Sequence, residues 1–261
     1  MRFACQEVLT PGATLAEKAE NLARWGYEGM ELWGDNLKPR LDEIKKALSG
    51  PVKLSSICAG YRGCPLSADK NERDTALADT KELLSMGADL GGAGLIFVPI
   101  FGPPQLKDAG TSGDVISLEK DLLCELMDEA GAHAEKVGGT ILLEPLNRYE
   151  THLLNRLEQA VEICKRVGNP RIKVMADFFH MNIEEPDIPT AIRAAGDHIA
   201  HVHLADSQRV QPGLGHTDFK SGFKALKEIG FDGYMALEVF PLQGDPNIEL
   251  KKCADWMRTQ M

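Results

Sequence analysis

Apolar residues along the chain fall into two alternating patterns. Short, β-rich apolar runs stand at 2–9 (RFACQEVL), 27–33 (YEGMELW), 52–58 (VKLSSIC), 94–100 (GLIFVPI), 139–145 (GTILLEP), 172–179 (IKVMADFF), 198–205 (HIAHVHLA) and 233–239 (GYMALEV). These predict strands. Longer stretches with helical periodicity lie between them, at 14–26, 72–91, 117–138, 155–168, 187–196, 218–230 and from Pro246 onward. The clearest, SLEKDLLCELMDEAGAHAEKVG, is expected to open on Ser117 as N-cap and to close on Gly138. Gly91, Gly92 and Gly94 open no helix with a G-x-G-x-x-G spacing, so they predict a turn before the fourth strand and not a dinucleotide site.

Strand and helix alternate throughout with no linker-like shift in composition. That pattern predicts one domain, residues 1–261, built on a parallel sheet. Eight such units in 261 residues favour closure into a single (β/α)8 barrel, with a doubly wound open sheet as the alternative. Hydrophobic residues make up 43% of the chain, enough for a sizeable core.

Composition narrows the classes of partner. The net charge is -10 and the sequence pI about 5.2, with no basic cluster. A phosphate-binding surface for nucleic acid needs clustered Lys and Arg, so none is expected. The six cysteines are scattered without a C-x-x-C, and Cys5, Cys58, Cys124 and Cys164 sit among apolar neighbours. They are expected to be reduced, in a cytoplasmic protein. No apolar stretch approaches the ~20 residues of a membrane span, and the N-terminus lacks a leader-like apolar core.

The chemistry concentrates at strand ends. In a (β/α)8 barrel the active site lies at the C-terminal ends of the strands. The fifth run, ILLEP, ends on Glu144. The sixth ends on Asp177 with His180 three residues on, the seventh carries His203 and the eighth Glu238. A carboxylate in such a place costs roughly several kcal/mol unless something pairs with it. Three converging carboxylates without a cation would repel one another, and some would stay protonated. A divalent ion removes the difficulty. Oxygen-rich ligands with one imidazole suit Mn²⁺ or Mg²⁺, with Co²⁺ and Zn²⁺ also compatible. Glu144, Asp177, His203 and Glu238 are therefore the expected metal ligands.

Taken singly, each of these residues has an ordinary reading: a strand-end Glu is usually solvated or salt-bridged, and a strand His is often a core residue. Four coinciding on consecutive strands are harder to explain that way. His201 shares the strand parity of His203 and faces the same side, as a packed or supporting residue. His198 is expected to be structural, and His133 a surface or helix-packing residue. Asp218 is expected to cap the next helix, His216 to line the mouth or face water, and Trp33 to stack on a ligand or pack in the core.

LEPLNRYETH, MADFFHMNIEE, HVHLADSQRVQPGLGHTDF and ALEVF resemble the sugar isomerase/epimerase superfamily with its xylose isomerase-like TIM barrel. Within it they are most similar to the D-tagatose/D-psicose (allulose) 3-epimerase branch. The similarity is strongest over roughly residues 139–240. It implies the same four metal ligands, commonly of Mn²⁺, and implies that Glu144 and Glu238 are general acid and base on opposite faces of a bound sugar. It further implies substrate binding by Glu150 in NRYE, His180 in DFFH and Arg209 in DSQR, and places Cys58 to Gly60 near the sugar. The expected reaction is epimerisation of a ketose beside its carbonyl, through a cis-enediolate. An inosose dehydratase-like lyase and a hydroxypyruvate isomerase-like aldose–ketose isomerase are the alternatives on the same barrel. A small sugar is the expected partner, without phosphate, nucleic acid or membrane, and a homo-oligomer is the expected assembly.

Overall fold

The computed structural model of the chain describes residues 1–106 and 114–261. Among these, parallel strands β1 (Arg2–Gln6), β2 (Gly29–Trp33), β3 (Lys53–Cys58), β4 (Gly94–Phe97), β5 (Ile141–Leu143), β6 (Ile172–Asp177), β7 (Ile199–Leu204) and β8 (Tyr234–Leu237) close into a barrel, each paired with its sequence neighbours and β8 with β1. The helices are α1 (Leu15–Trp25), α2 (Leu41–Ala47), α3 (Lys70–Asp89), α4 (Val115–Val137), α5 (Leu157–Val167), α6 (Phe178–Glu184), α7 (Ile188–Ala195), α8 (Phe219–Glu228) and α9 (Pro246–Gln260). The closed sheet settles the choice against an open doubly wound one. No described helix is long and apolar enough to cross a membrane.

Alternation along the strands sorts residues to two sides of the barrel wall. Phe3, Met30, Ile57, Phe97, Leu143, Val174, Val202 and Leu237 pack outward in the main core against the helices. The inner side is divided. Cys58, Ile96, Leu142 and Met175 form a small apolar layer, while Gln6, Glu31, Ser56, His201 and His203 are buried polar residues of β1, β2, β3 and β7. Register shifts at Met30/Glu31 and Val174/Met175 fall beside this polar part.

Helix caps follow local chemistry. Asp69, Asp187, Asp218 and Asp245 each accept a backbone N–H at the start of α3, α7, α8 and α9. Gly138 ends α4 at φ 79°, a left-handed position where a Cβ would be strained. The N-cap of α4 is Asp114, not Ser117, because the helix begins three residues earlier than expected. The first strand stops at Gln6 and Glu7–Leu9 coil into a 3-10 turn. Phe178 and Phe179, expected in the sixth strand, open α6 instead. The short α2 went unanticipated, since in its seven residues only Ile44 is buried. All six cysteines are free.

Candidate active site and cation site

Glu144 and Glu238 stand one residue beyond β5 and β8, Asp177 ends β6 and His203 lies near the end of β7. The four side chains are buried, and each offers a ligand atom within 4.8 Å of the others'. His203 Nδ1 is their centre, 3.3 Å from Glu238 Oε2, 3.6 Å from Asp177 Oδ2 and 3.9 Å from Glu144 Oε1. Asp177 divides its oxygens. Oδ1 accepts from the N–H groups of Phe179 at 2.7 Å and His180 at 3.3 Å, capping α6. Oδ2, like His203 Nδ1, is buried without a hydrogen-bond partner among the described residues.

Arg148 does not compensate Glu144. It turns outward and pairs with Glu184 of α6 at 2.8 Å. Burial lifts the Glu144 carboxyl well above the usual range; the positive charge of His203 opposes this, and Glu238 and Asp177 reinforce it. Burial acts in the same sense on Asp177 and Glu238, yet there the neighbouring His180, His203 and Arg209 around Asp177, and His203 with Arg209 around Glu238, prevail and hold both below the usual range. His203 itself is pushed well above its ordinary value: burial works against this, and Glu31 and Glu238 outweigh burial.

A second rank of residues lies beneath. Glu31 is fully buried and accepts from Ser56 Oγ at 2.6 Å, Gln6 Nε2 at 2.8 Å, His203 Nε2 at 2.9 Å and His201 Nε2 at 3.1 Å. The Gln6 amide also donates to Glu238 Oε1 at 3.0 Å. Burial would raise the Glu31 carboxyl, but the His203 charge and the hydrogen bonds of His201 and His203 hold it well below the usual range. Neither Gln6 nor Glu31 stood out in the sequence. The signal available for Glu31 was the one that drew attention to Glu144, a carboxylate inside an apolar strand. His201 occupies the supporting position expected of it.

The wall beside the cluster is built by the loops after β5 and β7 and by helix α6. His180 Nδ1 accepts from Asn147 N at 3.1 Å and Asn147 Nδ2 at 2.8 Å. The ring proton therefore sits on Nε2, which is buried and unpartnered among the described residues. That N–H lies 3.8 Å from Asp177 Oδ2 and 3.9 Å from Glu144 Oε1. Asn147 Nδ2 also reaches Glu150 Oε1 at 2.8 Å. Arg209 donates to that same Glu150 oxygen at 3.2 Å and to Glu238 Oε2 at 2.9 Å, and its buried Nε has no partner among the described residues. The loop bearing Arg209 is tied by Asp206, whose carboxylate accepts from Ser207, Gly213 and Thr217 N–H groups at 2.8, 2.9 and 3.0 Å. A Cβ built on Gly215 would overlap the Asp206 carboxylate. Asn147 and Asp206 also escaped the sequence reading.

The remaining expectations resolve simply. Trp33 is 42% exposed at the mouth and is not a core residue. His216 faces water, Asp218 caps α8 through Ser221 N at 3.1 Å, and His133 packs between helices against Ser85 Oγ at 2.9 Å. Cys58 belongs to the inner apolar layer.

The donor set fits a divalent cation. Buried Asp177 Oδ2 and His203 Nδ1 have no hydrogen donor among the described residues and suit a positive partner, and Glu144 and Glu238 close the same small space. Three carboxylates and one imidazole suit a hard to borderline ion with open positions for oxygen ligands.

Comparison with known proteins agrees with this fold. Residues 19–260 match the family model of the xylose isomerase-like TIM barrel. The chain is 29% identical over 252 residues to the 3-dehydro-D-guloside 4-epimerase of Escherichia coli, with 94% of each chain covered. It is 34% identical over 244 residues to a probable ketose 3-epimerase of Synechocystis sp., covering 92% of this chain and 81% of that one. The crystal structure of apo 3-keto-D-glucoside 4-epimerase from E. coli superposes with a TM-score of 0.90 at 27% identity, covering 99% of both chains.

Proposed function

The chain belongs to the xylose isomerase-like TIM barrel family, and from that premise we propose that it is a divalent-metal-dependent sugar epimerase, inverting the hydroxyl-bearing carbon beside a ketone. The observation that carries this reading is the pair Glu144 and Glu238. They reach one small space from strands three steps apart around the barrel, with Asp177 and His203 between them.

Inversion beside a ketone needs a base on one face of the carbon and an acid on the other. One carboxylate takes the carbon-bound proton, the carbon becomes planar in a cis-enediolate, and the second carboxylate returns a proton to the opposite face. A cation held by Glu144, Asp177, His203 and Glu238 would supply Lewis acidity to the substrate oxygens as charge develops. Mn²⁺ is the proposed ion. The His180 Nε2–H lies against the same space and is suited to a substrate oxygen, Arg209 is held beside it by Glu238 and Glu150 and is suited to another, and Glu150 is suited to accept from a hydroxyl. Buried, pre-aligned donors of this kind need little reorganisation as the oxygen gains charge.

The first substrate reading is a free ketose inverted at C3, supported by the NRYE and DSQR motifs and the ketose 3-epimerase relative. A second reading is a 3-keto-glycoside inverted at C4. The end-to-end match to the E. coli 4-epimerase favours it, as do Trp33 at the end of β2 and Phe240 beyond β8, 42% and 43% exposed, where a second ring could rest. Both are the same chemistry, displaced by one carbon along the sugar.

The test is to incubate the Mn²⁺-loaded protein in D₂O with D-fructose, D-ribulose and methyl 3-keto-D-glucoside and to follow the sugars by NMR. The expected result is a new epimer of one of them carrying a single solvent deuteron at the inverted carbon. Loss of water from the substrate, or an epimer free of deuterium, overturns the proposal.

A further inference from the structure

We infer that Glu31 is a positioning residue that fixes the ring plane and tautomer of His203, so that Nδ1 and not Nε2 is presented to the cation. The inference rests on the reading of Glu144, Asp177, His203 and Glu238 as ligands.

A fully buried carboxylate in the floor of a barrel needs a reason, because an apolar residue would fill the space without the desolvation cost. Here the carboxylate collects four donors, from Gln6, Ser56, His201 and His203. An ionised carboxylate only accepts, so the His203 nitrogen facing it must carry a proton. In a neutral imidazole the other nitrogen then has a lone pair. That nitrogen is Nδ1, the atom ringed by Glu238, Asp177 and Glu144 and lacking any donor. The opposite tautomer would set the Nε2 lone pair against both Glu31 oxygens, at 2.9 and 3.0 Å, and aim an N–H at the cation.

Two further contacts make the arrangement rigid. His201 reaches the same carboxylate two residues earlier on β7, so β2 grips β7 at two successive inward positions. Gln6 joins Glu31 to Glu238 through one amide, which ties a second proposed ligand to the same anchor. Glu31 thus acts through His203 and Gln6 and touches neither substrate nor ion.

The experiment compares the wild-type protein with Glu31→Gln. Isothermal titration with Mn²⁺ is expected to show affinity weakened by about 10- to 100-fold in the variant, the usual effect of losing such a partner. The amide can accept from an Nε2–H through its oxygen or donate to a bare Nε2 through its NH₂, so it no longer dictates the His203 tautomer. A long-range ¹H–¹⁵N spectrum of wild-type protein loaded with diamagnetic Mg²⁺ or Zn²⁺ is expected to show His203 protonated at Nε2 only. A cation on Nδ1 leaves the proton on Nε2 in any case, so the signature of Glu31 is the low-field shift of that Nε2–H from its bond to the carboxylate, expected to move upfield in Glu31→Gln; a purely space-filling role for Glu31 would show no such shift. An Nδ1-protonated His203, or a Glu31→Gln affinity within threefold of wild type, overturns the inference while leaving the cation site standing. Wild-type protein that binds no Mn²⁺ overturns the ligand reading and the inference with it. If Glu31→Gln does not fold, the wild-type spectrum decides alone.

Discussion

Arg209 Nη2 lies 2.9 Å from Glu238 Oε2, and Nη1 of the same guanidinium lies 3.2 Å from Glu150 Oε1. The backbone at Arg209 is left-handed, φ 58°, a conformation costly for a residue with a Cβ. The chain accepts it, and the guanidinium sits between the rings of Phe179 and Phe240, 5.0 and 5.5 Å away. A lysine cannot serve both carboxylates with a planar fork. Arg209→Lys is therefore expected to lower kcat/KM by about 10- to 100-fold, the equivalent of one charge-assisted hydrogen bond. Steady-state kinetics check it; a loss under threefold would show that the fork is not used.

Glu144 and Glu238 differ in electrostatic surroundings and share one proposed task. Replacing either by Gln keeps the size and removes the ability to move a proton. Glu144→Gln and Glu238→Gln are each expected to fold and to lose about 10²- to 10⁴-fold in turnover. Melting temperature separates the two effects. Activity near the wild-type level in either variant rejects the two-carboxylate scheme.

Asp177 allows stability and ligation to be separated in one residue. Its Oδ1 caps α6 and its Oδ2 faces the cation space. Asparagine is as good an N-cap as aspartate. Asp177→Asn keeps the cap but gives up the attraction of the neighbouring positive groups that hold the carboxyl below its usual range, so it should melt below wild type without metal and bind Mn²⁺ far more weakly. Asp177→Ala loses the cap as well and is expected to cost about 1 kcal/mol more. Calorimetry with and without Mn²⁺ distinguishes them. A cap with no effect would appear as equal melting points for the two variants.

The strand–helix rhythm made the barrel legible because each strand presents a continuous apolar run, Leu95–Phe97 and Ile141–Leu143 among them, buried on both faces. The proposed ligands were legible for the same reason: a charge at the end of such a run is conspicuous. Their supports were not. Glu31 meets His203 across 172 residues of sequence and Gln6 meets Glu238 across 232, so no local window contains either pair. Helix α6 was hidden because its cap is also a proposed ligand. Asp177 looks like the end of a strand until the N–H groups of Phe179 and His180 are seen to turn back onto it.

Asp206 is the residue on which the position of Arg209 depends. Its carboxylate gathers the N–H groups of Ser207, Gly213 and Thr217, and its backbone C=O accepts from Arg209 N at 2.8 Å. Burial would raise its carboxyl, but the loop amides, Thr217 and Ser207 foremost, hold it below the usual range. A carboxyl whose folded value lies below its unfolded one stabilises the fold above the unfolded value, about 3.9. That contribution disappears as pH falls through the lower, folded value. Asp206→Asn puts an NH₂ against at least one backbone N–H, for an expected loss of about 1–3 kcal/mol at pH 7. The gap to wild type should narrow as pH drops below about 4, where the wild-type carboxyl also takes up a proton. Urea unfolding at a series of pH values measures the gap, and hydrogen exchange over residues 206–217 locates it. The variant should also lose kcat/KM, because Arg209 rides on this loop. A gap that stays constant from pH 7 to acid would mean that the loop is held by something other than the Asp206 charge.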